Sequence, residues 1–368
     1  MLKLALLCCL AVTPVAQGLT DSPTIRCSAK SLGPYLDFEF RFVAGHWFTM
    51  PVRQFWEQSV QVRITLDVEP IDGTPGEPKR VVQHLGSERV VPKGIKGEFS
   101  FPRAVTIGLG KYRSSWTIQD ITGRKCSGSR TFTAKLPNRA RGVEVSLGPG
   151  EIVDTNMYIF RSEKSVPRPH LAQARRLKVF LSLDVLGRRG RVVRPRMFHL
   201  MPQVAALRQL SRSPSFSEFS LVAFSFEDQR ILARQEYGST FDFRPLSRIT
   251  QQLRPEQVDF RDLMKGSEMR FFERLVEQEI EGPDPPHGVV FLGQDMHFGK
   301  RLPRSVLDRL RHIGATVAFF DASRYAWAGL MGSLVRALGG KEYRMQAPSD
   351  LARAISSFES QARASIPQ

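Results

Sequence analysis

The chain has 368 residues, with 53 Lys+Arg against 36 Asp+Glu for a formal net charge of +17, and 42% of it is hydrophobic. That length and apolar share allow two cored domains, and no run after the first 18 residues is apolar enough to cross a membrane. The charge favours anionic partners such as lipid head groups, acidic polysaccharide or acidic proteins. It is spread along the chain and is mostly arginine, so a solvated basic surface with no specific polyanion accounts for it equally well.

Residues 1–18 read as a signal peptide. Lys3 supplies the positive start, Leu4 to Val12 the apolar stretch, and Ala16-Gln17-Gly18 the small residues of a cleavage site. The apolar run falls short of the about 20 residues that a bilayer needs, which makes cleavage the expectation and a retained anchor the alternative. A secreted or periplasmic location follows, and nucleic acid drops out as a partner. Cys8 and Cys9 leave with the peptide. Cys27 and Cys126 remain, and an even pair in an oxidising compartment is expected to form a disulfide; the alternative is two buried thiols.

Residues 19–135 are expected to form an all-β, immunoglobulin-like sandwich. Tyr35–Phe42 and Val60–Val68 alternate apolar and polar residues with period two, as half-buried strands do. Gly110–Asp120 is a third strand and a fourth runs through Thr131–Thr133, with loops at Gly73–Pro78 and Pro92–Gly97. His46-Trp47-Phe48 with Phe55-Trp56 suits sandwich core, or else a carbohydrate platform. Residues 136–174 are a proline- and glycine-broken linker with room for a short strand at Ile152–Phe160.

From Arg175 the pattern becomes α/β. The strand Leu177–Asp184 is followed by a helix at Met197–Leu210 and a hairpin of Phe219–Phe226 with Arg230–Glu236. Helices are predicted at Pro245–Leu253 and Asp259–Ile280, then the strand Gly288–Gly293, the helix Pro303–Ile313 and the strand Gly314–Asp321. The helix Trp327–Leu338, an edge strand Glu342–Met345 and the helix Ser349–Ser360 close the pattern, with a tail at 363–368. Continuous apolar strands separated by helices imply a mostly parallel, Rossmann-like sheet covered on both faces.

With this order on the page, residues 175–362 resemble the von Willebrand factor type A domain family in its divergent exported bacterial form. The resemblance rests on the strand ending in Asp184, the hairpin Phe219–Glu236, and Val289-Val290-Phe291-Leu292-Gly293-Gln294-Asp295. Gly314-Ala315-Thr316-Val317 and the closing Leu338–Met345 with Asp350–Ile355 add to it. It implies a metal-ion-dependent adhesion site: Asp-x-Ser-x-Ser after the first strand, a threonine on a second loop and an aspartate on a third. Asp184 matches the first aspartate and Asp295 the third-loop one, so these two are the metal-ligand candidates, for magnesium. The serine positions hold Leu186 and Arg188, and the threonine's nearest stand-in is Ser267, with Asp262 close by.

Guanidinium groups at Arg188, Arg189 and Arg191 oppose a divalent ion, so no cofactor is expected. The binding candidates are Asp184, Arg188, Arg189, Arg191 and Asp295, with an arginine engaging a partner's carboxylate or phosphate directly. Alternatively, Asp184 merely accepts backbone amides of its turn. No nucleophile elbow, P-loop, dinucleotide fingerprint or zinc-protease helix occurs. The expected function is therefore non-enzymatic: an exported protein that binds an acidic or envelope-associated protein, membrane-surface contact being compatible. The alternatives are a structural spacer of a cell-envelope complex, or a metal-assisted hydrolase built on Asp184, Asp295 and His297.

Overall fold

The computed structural model describes residues 24–155, 175–186, 192–193, 197–252, 267–281, 285–296, 304–323 and 329–364. The first half is a sandwich of two antiparallel sheets. Strands β1 (Ser28–Leu36), β2 (Phe42–Pro51), β5 (Glu98–Ile107) and β8 (Ile152–Asp154) form one, in that order. The other runs β4 (Lys79–Val90), β3 (Ser59–Ile71), β6 (Gly110–Asp120), β7 (Lys125–Ala134). Alternation drives the packing: Val60, Val62, Ile64, Leu66 and Val68 of β3 all turn inward onto Phe42, Ala44 and Phe48 of the opposite sheet. The Tyr112 hydroxyl donates back to the Gly108 carbonyl at 2.9 Å, tying the start of β6 to the corner before it. The short strand expected in the linker is β8, which pairs with β5.

Cys27 and Cys126 form a disulfide. Phe48 and Phe55 are core residues, whereas Trp47 is 42% exposed on the outer face of β2.

One reading needs correction: Tyr35–Phe42 is not a strand but the end of β1, a turn, and the start of β2. Asp37 makes the turn, because its Oδ1 accepts the N–H groups of Glu39 and Arg41, both at 2.9 Å. Phe40, held at φ 58°, alternates with Phe42 in sequence yet packs elsewhere. It is buried in the core of the second half, with Leu207 and Phe243, so its apolar character serves a neighbouring domain and not a strand face.

His46, inward on β2 and 2% exposed, shares a hydrogen bond of 2.9 Å between its Nε2 and the Ser114 hydroxyl. Burial, and then the nearby Arg130 guanidinium, push its pKa down to about 4. An unfolded histidine titrates near 6.5. The unfolded chain thus binds the extra proton first, and stability present above about pH 6.5 is lost as pH falls through about 4, by about 3 kcal/mol. Urea unfolding of His46→Gln against the wild type at pH 4 and pH 7 checks this: the variant should lose less stability on acidification, and equal losses would refute it.

The second half is a six-stranded sheet in the order β13 (Arg230–Gly238), β12 (Glu218–Ser225), β9 (Arg176–Ser182), β14 (Gly288–Gly293), β15 (Thr316–Asp321), β16 (Lys341–Arg344). All neighbours are parallel except the hairpin β12–β13. Alternate residues of β9 supply two separate cores. Leu177, Val179 and Leu181 meet helices α1 (Met197–Arg212) and α6 (Pro348–Ala364). Phe180, on the other face, meets α3 (Ser267–Ile280), α4 (Arg304–His312) and α5 (Leu330–Ala337). Helix α2 (Arg244–Gln252) follows β13. None of the helices among the described residues is long and apolar enough to cross a membrane.

The halves are docked. Besides Phe40, Ala140 and Val143 join the α1–α6 core. Arg208 of α1, 2% exposed, pairs with Glu39 of the sandwich turn and lies 5.0 Å over the Phe243 ring.

Candidate functional site

Parallel strands deliver their C-terminal ends to one edge, and at that edge three adjacent strands carry buried carboxylates. Asp184 lies two residues past β9, Asp295 two past β14, and Asp321 ends β15. Each is held by donors. Asp184 Oδ1 accepts the Ser225 hydroxyl at 2.8 Å, while Oδ2 accepts the Phe226 amide at 2.6 Å and the Ser182 hydroxyl at 3.3 Å. The β12–β13 turn is therefore clamped onto the loop after β9. Asp295 sits at the N-terminus of α5: Oδ2 accepts from Gly329 at 2.8 Å and Gly332 at 3.3 Å, and Oδ1 from Met331 at 2.9 Å, where the helix dipole favours a negative charge. A side chain at Gly329 would collide with that carboxylate. Asp321 accepts the Ser323 amide at 2.7 Å.

Burial raises the pKa of all three, against these donors. Asp295 is pushed up to about 6, with the Asp321 carboxylate adding to the effect. Glu227, at the turn beside Asp184, rises to about 7 through burial and then through the Asp184 and Asp228 carboxylates.

Asp184 and Asp295 are thus placed on adjacent strands, as expected. The short strands β10 (Val185–Leu186) and β11 (Val192–Val193) pair antiparallel right after Asp184. Arg188, Arg189 and Arg191 belong to the segment joining them and lie outside the described residues, as do Asp262 and His297 and the side chains of Leu186 and Ser267. No group of three or more metal-ligating side chains occurs among the described residues. Asp321 and Glu227 were not singled out from the sequence, although Asp321 ends its strand as Asp184 nearly does.

A cleft of about 300 Å³ opens along the same edge. Gln294, Ala322, Ser323 and Met345 line it from the strand ends, His199 and Pro202 from α1, and Phe38 from the sandwich turn. Two domains therefore contribute walls to one cleft, at the edge where open α/β sheets bind ligands. The sequence carried no signal for it, because Phe38 reaches the edge only through domain docking.

Asp184→Ala should cost about 2–3 kcal/mol, since the Phe226 amide and the Ser225 hydroxyl are left without their acceptor in a buried place. Asp184→Asn keeps one acceptor oxygen and should cost less. Urea denaturation of both variants tests the order, and an alanine variant as stable as the wild type would show that the clamp contributes nothing.

No protein-family model matches the chain, and no curated protein matches it. Among solved structures, proximal thread matrix protein 1 from the mussel byssus, with a zinc-occupied MIDAS motif, aligns at 12% identity over 51% of this chain and 46% of its own, TM-score 0.31. A von Willebrand factor type A protein from Catenulispora acidiphila aligns at 9% identity over 70% and 46% of the two chains, TM-score 0.25. The β-glucuronidase of Bacteroides uniformis aligns at 10% identity over 85% and 38%, TM-score 0.18. The chain spans less than half the length of each of these proteins. Likenesses this low identify neither a fold family nor a function, and the architecture rests on the strand order and packing described above.

Proposed function

We propose that the protein is an exported, non-enzymatic protein-binding protein, in which a von Willebrand factor type A-like α/β domain presents its strand-end edge to an acidic or envelope-associated partner. The observation that carries the reading is the two-walled cleft at the C-terminal edge of the sheet. The sheet bears the strand-end aspartates and the antiparallel hairpin on which the family resemblance rests. The donors on Asp184 and Asp295 support a degenerate adhesion site, because oxygens already engaged by N–H and O–H groups are poor partners for a divalent ion. An immunoglobulin-like sandwich is supported by the Tyr112 hydroxyl bond, which has the form of that fold's tyrosine corner. The disulfide supports an oxidising compartment.

The arginines between β10 and β11 supply the recognition charge. Arg188→Glu with Arg189→Glu should abolish capture of envelope proteins while leaving the melting temperature unchanged, and undiminished capture would sink the reading. Millimolar magnesium should not raise the melting temperature, whereas ligand at a hundredfold excess over its Kd would add about 2.7 kcal/mol. An upward shift that vanishes in Asp184→Ala would restore a cation there. The buried junction at Phe40 and Arg208 favours a second reading, a rigid spacer whose sandwich makes the contacts. Capture that survives the arginine reversal and fails in Trp47→Ala would select it.

A further inference from the structure

On one side of the sandwich the edge strands β1 and β7 run next to each other, and their inward positions are small. Ala29 and Ser31 stand opposite Phe48 and His46, and Gly128 stands opposite Trp116. Core-sized side chains at Ala29 and Ser31 would close the sandwich, whereas the Trp116 ring already covers Gly128, where an added Cβ would meet it at 2.8 Å. Instead a slot of about 500 Å³ remains open to solvent, with His46 and Trp116 within it and the Cys27–Cys126 disulfide in its wall. Ser31 adds a hydroxyl to its lining, whereas Ser28, Ser127 and Ser129 alternate with the inward residues and turn outward at its rim.

Arg130 is the next inward residue of β7, opposite Ser114. Its Nη2 donates to the Gly33 carbonyl at 3.0 Å and its guanidinium lies 5.1 Å over the Phe132 ring. Its Nε is enclosed with no acceptor. No carboxylate pairs with it among the described residues, whereas Arg103, which also turns inward in this sandwich, is matched by Asp154 at 3.0 Å. A charge taken partly out of water without a counter-charge is costly, and burial accordingly lowers the Arg130 pKa. An inward charge on an edge strand also discourages edge-to-edge pairing. That task requires no cavity, yet here the inward positions Ala29 and Ser31 of the neighbouring strand have been kept small.

We propose that this slot is a binding site for a small carboxylate. The carboxylate supplies the counter-charge that Arg130 lacks, the Ser31 hydroxyl meets a polar group beside it, and the size of the slot admits a ligand up to about a monosaccharide unit. The site is independent of the strand-end edge and stands or falls separately from it.

The test is calorimetric titration of the full chain at pH 7 with galacturonate, acetate and galactose, combined with NMR titration of His46. Galacturonate should bind one-to-one and acetate more weakly, while galactose, without the charge, should not bind. Arg130→Gln should weaken binding by about tenfold to a hundredfold, and Ser31→Leu, which fills the slot and leaves the charge, should abolish it. Saturating galacturonate should also raise the His46 pKa, because the bound anion offsets the Arg130 field, an effect that no purely structural role of Arg130 produces. Absence of saturable binding by either carboxylate overturns the proposal. So does binding that galactose matches, or binding that persists in a folded Ser31→Leu variant. Should Arg130→Gln not fold, the Ser31→Leu result and the wild-type His46 shift still decide the matter.

Discussion

Removing the Cys27–Cys126 bridge by a double alanine substitution should lower the unfolding free energy by about 4–5 kcal/mol, the value the loop-entropy model assigns to a closed loop of roughly a hundred residues. The two cysteines are 99 positions apart, so the reduced unfolded chain gains the freedom of most of the sandwich. Native contacts at the site will hold the geometry but not replace the restraint. Thr24 pairs in parallel with Lys125, and the Ile25 amide donates to the Lys125 carbonyl at 3.1 Å, beside the bridge. Urea unfolding with and without the substitution measures the loss. A difference under about 1 kcal/mol would mean that the unfolded chain is already as compact without the bridge as with it. In unreduced protein, thiol titration should find neither cysteine free.

The second large effect is expected at the N-terminal side of the α/β sheet. Lys178 of β9 is 5% exposed, and its Nζ donates to Glu279 Oε2 at 2.6 Å and to the Glu279 carbonyl at 3.0 Å. Arg234 approaches Oε1 of the same carboxylate at 2.5 Å, at angles that make a charge contact without a hydrogen bond. Glu279→Ala leaves a buried ammonium and should cost about 3–5 kcal/mol. The double variant Lys178→Met, Glu279→Leu removes both charges together and should come within about 1 kcal/mol of the wild type, because well-packed apolar groups replace buried pairs without net loss. A thermodynamic cycle over the two single variants and the double one separates the cases, and additive losses would show that the pair is not coupled.

Much of the fold was legible because the periodicities were clean. Val60–Val68 alternates and is β3; Val289–Leu292 is continuously apolar and is the interior of β14, buried on both faces. The strands β4 and β5 were not recognised, since much of each is exposed and carries charges such as Arg80, Glu88 and Glu98. Tyr35–Phe42 misled for a different reason: alternation reports burial, and Phe40 is buried by another domain. At the candidate site the position of Asp184 could be read from its strand, but its partners could not. The Phe226 amide lies 42 residues further along the chain, and a backbone donor carries no side-chain signature. The Arg130 slot was equally hidden, because smallness at Ala29 and Ser31 acquires meaning only once β1 and β7 lie side by side.

The turn that carries Phe38 and Phe40 has a mechanical consequence. Phe38 walls the strand-end cleft while Phe40, two residues on, is anchored in the core beneath α1. The jaws of the cleft therefore cannot swing apart without drawing a phenylalanine out of a packed interior and breaking the Arg208–Glu39 pair. Whatever docks there meets a gap of set width, more a keyhole than a hinge, and spends little of its binding free energy on closing the protein around itself.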